Sequence, residues 1–183
     1  MDNVSNPCKI LVVGGTGFIG HHLLKETVLR GWICSSISLN PPLKFRRIEN
    51  VNYVIADITN RAELRHKISD DYNYVVNLGG YPDHSLLING GEKIINDHFN
   101  SVLNLVATIS REKLKRFIQI GSSDEYGNAE APQIEGNREL PISPYSAAKV
   151  ASTHFIQMLY RTEQFPGVVL RPFIIYGPGQ DNN

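Results

Sequence analysis

Apolar residues along this chain gather into six short runs, and the stretches between them carry the spacing of amphipathic helices. Residues 10–13 have no polar break, the pattern of a parallel strand buried on both faces. Five further runs fall at 32–39, 52–56, 74–78, 117–120 and 167–170. Apolar positions three and four apart predict helices over 21–30, 61–68, about 86–110 and 144 to about 164. The punctuation fits these limits. Gly31 stops the first helix, and Asn40-Pro41-Pro42 stops the second strand. Asn60 with Glu63 has capping-box-like spacing, and Gly90-Gly91 starts or breaks the long helix. Ser143 caps the last helix, and Pro144 takes its first position, where a missing N–H costs nothing. Strands alternating with helices predict an α/β protein with a doubly wound parallel sheet.

The link between the first strand and the first helix is Gly14-x-x-Gly17-x-x-Gly20. Strand, glycine turn and helix in that order form a dinucleotide-binding signature. Gly14 lets the chain turn out of the strand, Gly17 lets the backbone approach a pyrophosphate, and Gly20 lets the helix lie close on the sheet. The unpaired N–H groups and positive end of that helix then face the phosphates. With right-handed crossovers, the turn predicts the strand order 3-2-1-4-5-6.

Composition narrows the classes. The 183 residues suffice for one domain, and 42% hydrophobic with 20% charged residues is globular usage. Lys+Arg and Asp+Glu are 18 each, which gives no surplus to attract nucleic acid. No run reaches membrane-spanning length, so no membrane partner is expected. Cys8 and Cys34 are too few for a disulfide framework, and a reducing, cytoplasmic setting is expected. No pair among the six histidines has metal-ligand helical spacing with a carboxylate, so no metal is expected.

Tyr145 and Lys149 lie four apart at the start of the last helix and share one face. An ammonium beside a phenol favours the phenolate. Such a tyrosine can give or take the proton of an alcohol that interconverts with a ketone, while a nicotinamide carries the hydride. Ser122 and Ser123 follow the fifth strand, at the carboxyl end of the sheet where ligands bind. A serine there can bond the same substrate oxygen. Asp124 and Glu125 either act as acid or base or are simply solvated.

These motifs, with Asn77-Leu78-Gly79-Gly80, Gly121-Ser122-Ser123-Asp124-Glu125-Tyr126-Gly127 and Arg171-Pro172-Phe173…Tyr176-Gly177-Pro178-Gly179, occur in one order. In that order they resemble the extended short-chain dehydrogenase/reductase family, the NAD-dependent epimerases and dehydratases of nucleotide sugars. The resemblance implies a Rossmann fold and an oxidoreductase. Tyr145 would be the acid/base, with Lys149 lowering its pKa and holding the nicotinamide ribose. Ser122 would be the catalytic serine, with Ser123 in reserve. Phe18 and Ile19 would offer backbone N–H groups to the pyrophosphate beside Gly14, Gly17 and Gly20. Asp57 and Ile58 would contact the adenine, although Asp57 is equally placed as a helix cap. Leu78, Gly79 and Gly80 would line the ribose and phosphate path. Asp124 sits where dehydratase members carry a catalytic acid. The segment GSSDEYG looks most like that of the 4-keto-6-deoxy-sugar nucleotide reductases.

The chain also departs from the family pattern. Ser38 stands at the end of the second strand, where NAD-using members carry an acidic residue. With Lys44, Arg46 and Arg47 nearby, NADP is favoured slightly over NAD. His98 replaces the usual asparagine of the long helix, and Ile174 replaces an asparagine that touches the substrate phosphate. Family members continue into a smaller substrate-binding region, so residues 1–183 are expected to form the NAD(P)-binding domain truncated before it. This chain alone is expected to bind cofactor with little or no turnover, and a non-catalytic dinucleotide-binding module is the alternative. Family dimers pair the long helix with the tyrosine helix, which here places residues 99–109 against 150–159. The apolar face around Phe155, Ile156 and Leu159 serves such a homodimer or the core equally well.

Overall fold

The computed structural model describes residues 7–68 and 71–180. Six parallel strands form one sheet in the order β3-β2-β1-β4-β5-β6. They are β1 (Lys9–Val13), β2 (Ile33–Ser38), β3 (Val51–Ile55), β4 (Tyr74–Asn77), β5 (Arg116–Ile120) and β6 (Gly167–Leu170). This is the Rossmann order expected from the sequence, and each strand lies within a residue or two of its apolar run. The helices are α1 (Phe18–Leu29), α2 (Arg61–Lys67), α3 (Gly91–Ile95), α4 (Ser101–Thr108) and α5 (Pro144–Glu163).

Strand alternation divides the core between two layers. Leu11 and Val13 of β1 join Leu64 of α2, Val102 and Leu105 of α4, and Ile156 and Leu159 of α5. Ile10 and Val12 point the other way and meet Leu24 of α1. The apolar runs lack polar breaks because helices cover both faces of the central strands. Ile156 and Leu159 are therefore core residues, and Phe155 is only partly buried against them.

Two local expectations change. The long helix over 86–110 is in fact segmented. Gly90, at φ 101°, starts α3, a π turn spans Asn96–Asn100, and α4 follows. The π turn widens the backbone where His98 enters the interior, as such turns often do at functional sites. The capping box at Asn60 is half made. Asn60 Oδ1 accepts the Glu63 N–H at 3.1 Å, but Glu63 Oε2 accepts the Asp57 N–H instead. At α5 the box is complete, between Ser143 and Ser146.

The ends of β5 and β6 are tied by charge. Glu125 is fully buried, and its Oε2 accepts from Arg171 Nε and Thr153 Oγ1, both at 2.8 Å. Its Oε1 accepts the Ser122 N–H at 2.9 Å. Arg171 Nη2 reaches Glu139 Oε1 at 2.6 Å, which fastens the long polar loop. Glu125 is thus a structural anion, neither solvated nor available as an acid or base. Breaking a buried pair leaves an uncompensated charge, so Glu125→Gln should cost about 3 kcal/mol. Arg30→Ala, at the exposed pair with Glu26, should cost less than about 1 kcal/mol. Urea unfolding followed by circular dichroism checks both, and equal costs would contradict the assignment.

Candidate dinucleotide and sugar sites

The sheet reverses its winding between β1 and β4, and the loops leaving those two strands lie side by side. Gly14 turns at φ +76°, and a Cβ there would stand 3.1 Å from the Leu78 carbonyl. The Gly14 N–H donates to Ile37 O at 2.7 Å, and the Leu78 N–H donates to Val13 O at 3.0 Å. At Gly20 a Cβ would run into the Gly14 carbonyl oxygen, so only glycine lets α1 sit this close. Phe18 and Ile19 open α1, in the first turn whose N–H groups have no intrahelical acceptor.

A cleft of about 330 Å³ opens at this crossover. Its wall gathers Gly14, Gly17, Ser38, Asp57, Ile58, Leu78, Gly79 and Gly80, which are eight of the sequence-predicted cofactor residues. Ser38 Oγ accepts the Thr16 N–H at 3.3 Å and steadies the glycine turn. Asp57 Oδ1 accepts from the Thr59 N–H and hydroxyl, both at 2.8 Å, so it closes a turn on the cleft wall while Asn60 caps α2. Asn77 Oδ1 holds the Gly79 N–H at 3.0 Å. At the far end stand Tyr81, Lys93 and Asp97, which sequence reading missed. Tyr81 O–H donates to Asp97 at 2.7 Å, and Lys93 pairs with Asp97. The i, i+4 spacing of Lys93 and Asp97 was the only signal for them.

Arg46 is turned away from solvent, and its Nη2 donates to Gly179 O at 2.7 Å. The guanidinium of Arg47 lies over the Tyr53 ring. Lys44 is exposed.

Tyr145, Lys149 and Ser122 converge beyond the ends of β4 and β5. Burial raises the Tyr145 phenol pKa, a hydrogen bond with Ser122 lowers it, and the charges of Asp124 and Glu125 raise it again. Lys149 is buried, and its Nζ donates to Ile120 O at 3.0 Å, 5.6 Å from the Tyr145 ring centre. Burial lowers its pKa to about 8, against the opposing pull of Glu125. The ammonium is therefore spent on a carbonyl, and the phenol stands above its ordinary value rather than below it.

His98 lies beneath this group. Its ring stands edge-on to Tyr145 with centroids 5.0 Å apart, and a Cβ on Gly80 would strike it. It is 2% exposed, and neither ring nitrogen has a hydrogen-bond partner of normal geometry among the described residues. Burial, then the Lys149 charge, lowers its pKa to about 4. A second, polar cavity of about 310 Å³ opens on the outer side of Tyr145, lined by His84, Asp124 and Ser143 among others. His84 escaped the sequence reading because its loop has no periodicity. Ile174 is 91% exposed.

A glycine turn at the crossover of a parallel sheet, with Ser122, Tyr145 and Lys149 beyond it, is a Rossmann fold with the motif order of the extended short-chain type. The sequence profile of the NAD dependent epimerase/dehydratase family matches residues 10–183, and the chain belongs to that family. It is 25% identical over 194 residues to the dTDP-D-glucose 4,6-dehydratase of Dictyostelium discoideum, covering 94% of this chain and 45% of that protein. It is 27% identical to the dTDP-glucose 4,6-dehydratase of Streptomyces niveus, covering 94% of this chain and 55% of that one. Among solved structures, the UDP-glucose 4-epimerase of Thermotoga maritima with UDP-glucose superposes with TM-score 0.84 at 24% identity, over 94% of this chain and 58% of that one. The UDP-glucuronic acid 4-epimerase of Bacillus cereus, in complex with NAD, gives 0.79 at 25% identity over 94% and 58%. The chain spans about half the length of the curated relatives it matches.

The sign of the His98 effect follows from its lowered pKa. Between about pH 6.5 and 4 the unfolded chain binds a proton that the folded chain refuses, so stability falls with pH across that window. The loss should total roughly 3 kcal/mol by pH 4, and His98→Asn should remove it. Denaturant midpoints measured from pH 7 to 4 check this, and parallel curves for the two proteins would contradict it. Gly20→Ala should force α1 off the turn and weaken NAD binding at least about tenfold, read by calorimetry.

Proposed function

We propose that the protein is an NAD(P)-dependent oxidoreductase of nucleotide sugars, acting at a hydroxyl or keto carbon of the sugar. The observation that carries this reading is the convergence of Ser122, Tyr145 and Lys149 beyond a cleft that gathers eight of the predicted cofactor residues. In this reading the glycine turn and first turn of α1 would take the pyrophosphate, Asp57 and Ile58 the adenine, and Leu78 to Gly80 would line the ribose path. When bound, the nicotinamide supplies hydride chemistry. Tyr145 O–H gives its proton to the sugar oxygen in reduction and takes it back in oxidation. Ser122 bonds the same oxygen, and Lys149 would hold the nicotinamide ribose. The segment GSSDEYG supports the reducing direction, on a 4-keto-6-deoxy sugar. The curated relatives are nucleotide-sugar dehydratases, which supports the substrate class.

Ser38 brings no charge against a 2′-phosphate, and exposed Lys44 could meet one, which supports NADP. The NAD named with the Bacillus cereus relative supports NAD. A non-catalytic dinucleotide module is the second reading, favoured by the carbonyl that holds Lys149. A cytoplasmic homodimer is part of the first reading, on the face where the half-buried rings of Phe99 and Phe155 meet within the chain, 6.2 Å apart.

Calorimetric titration of the chain with NADPH and NADH separates the cofactors. Turnover is read at full natural length, as NADPH oxidation at 340 nm with dTDP- and UDP-4-keto-6-deoxyglucose. Tyr145→Phe should slow it by about 10²–10⁴-fold while leaving cofactor affinity within about twofold. Full activity in Tyr145→Phe would contradict the role, and cofactor binding with no turnover of either sugar would favour the module.

A further inference from the structure

The segment that follows β6 runs back across the carboxyl ends of the strands and is fixed at both of its ends. At its start, Pro172 O accepts the Ser123 N–H at 3.1 Å, in the loop after β5. Arg171, the residue before it, is locked to Glu125 and Glu139. At its far end the segment has reached α1, which follows β1. Gly177 lies against the Phe18 ring, where an added Cβ would stand 3.4 Å from Cζ. His22 Nε2 lies 2.9 Å from Pro178 O, and Arg46 Nη2 donates to Gly179 O at 2.7 Å. The Gln180 N–H returns to Gly177 O at 3.3 Å and closes a turn. Because β4 lies between β1 and β5, the span between the two anchors passes the end of β4.

The far anchor joins two elements that also hold each other. His21 Nδ1 lies 2.9 Å from Arg46 O, and the rings of Phe18 and His22 meet edge-on with centroids 5.3 Å apart. A carbonyl oxygen accepts, so His22 carries a proton on Nε2 and donates it to Pro178 O. Arg46 is buried, and it commits a charged donor to a carbonyl 133 residues away in the chain. Hydrogen bonds from a charged group are the stronger kind. Between the anchors, the side chains of Phe173, Ile174, Ile175 and Tyr176 are exposed. Phe18 opens the helix turn offered to the pyrophosphate, and Ser122 and Tyr145 stand beyond β5. The span therefore crosses the way from one to the other, which the nicotinamide half of a dinucleotide would occupy. We propose that Arg46 and His22 are positioning residues that clasp residues 172–179 across that path, so that a dinucleotide enters and leaves when the clasp opens. Arg46 then serves the cofactor without touching it. Segments that close over a ligand set the rate of its release in this way. The inference rests on the dinucleotide reading above and adds a gate to the same site.

The test separates rates from affinity. The full-length protein is mixed with NADH, and separately with NADPH, in a stopped-flow fluorimeter. Entry is read on mixing, and release on chasing with an excess of the oxidised dinucleotide. Two substitutions open the clasp gently. His22→Phe keeps a ring beside Phe18 and removes the donor, and Arg46→Lys keeps the charge and removes the planar fork. Each should speed entry and release together by about tenfold, leaving affinity within about threefold. Chymotrypsin cleavage after Phe173 and Tyr176, read by mass spectrometry, should quicken in both variants, while cleavage after Tyr160 in α5 should not. Faster release with entry unchanged would make the two residues holders of the bound cofactor and overturn the gate. Unchanged rates in both variants would overturn it too, and leave the dinucleotide reading standing. Faster cleavage at all three sites would show general loosening and count equally against the clasp. Binding of neither NADH nor NADPH by the unsubstituted protein would overturn both readings.

Discussion

The first turn of α1 lies against the end of β1 so closely that Gly20 faces the Gly14 carbonyl with no room for a Cβ. The candidate cofactor cleft depends on that approach. It brings the unpaired N–H groups of the helix to the crossover between β1 and β4, where the winding of the sheet reverses. The Leu78 backbone fills the other side of the same turn. A residue larger than glycine at position 20 would move the helix, and the anion site would move with it.

Buried charge organises the second half of the site. Glu125 accepts from Ser122, Thr153 and Arg171, and so joins the loop after β5, helix α5 and the end of β6. Lys149 is satisfied by a backbone carbonyl of β5, and the neighbouring His98 is held neutral. Ser122 and Lys149 are thus placed by contacts within the chain. Such supporting contacts hold reacting side chains in productive geometry.

Much of this was legible in the sequence. Unbroken apolar runs marked the central strands because helices cover both sheet faces, and the glycine spacing marked the crossover. The resemblance to the family, rather than the spacing, pointed to Asp57, Ile58 and Leu78 to Gly80, which line the same cleft. The segmentation of the long helix was hidden, because Ile95, Phe99, Val102 and Val106 keep helical spacing across the π turn. Glu125 and Asp124 read alike as neighbouring carboxylates, yet one is sealed in the core and the other faces a cavity. That difference depends on Arg171, which lies 46 residues away in the chain. His84 was invisible for a similar reason, since only the fold brings its loop to Asp124.

The central claim is that the crossover cleft binds a dinucleotide through the turn that Gly20 permits. Amide chemical shifts of the 15N-labelled chain, followed during titration with NAD, test it most directly. The account predicts shifts concentrated at residues 14–20, 57–59 and 78–81, with those of β6 and the far end of α5 unmoved. Saturable shifts confined to other surfaces, or none at millimolar NAD and NADP, would contradict it.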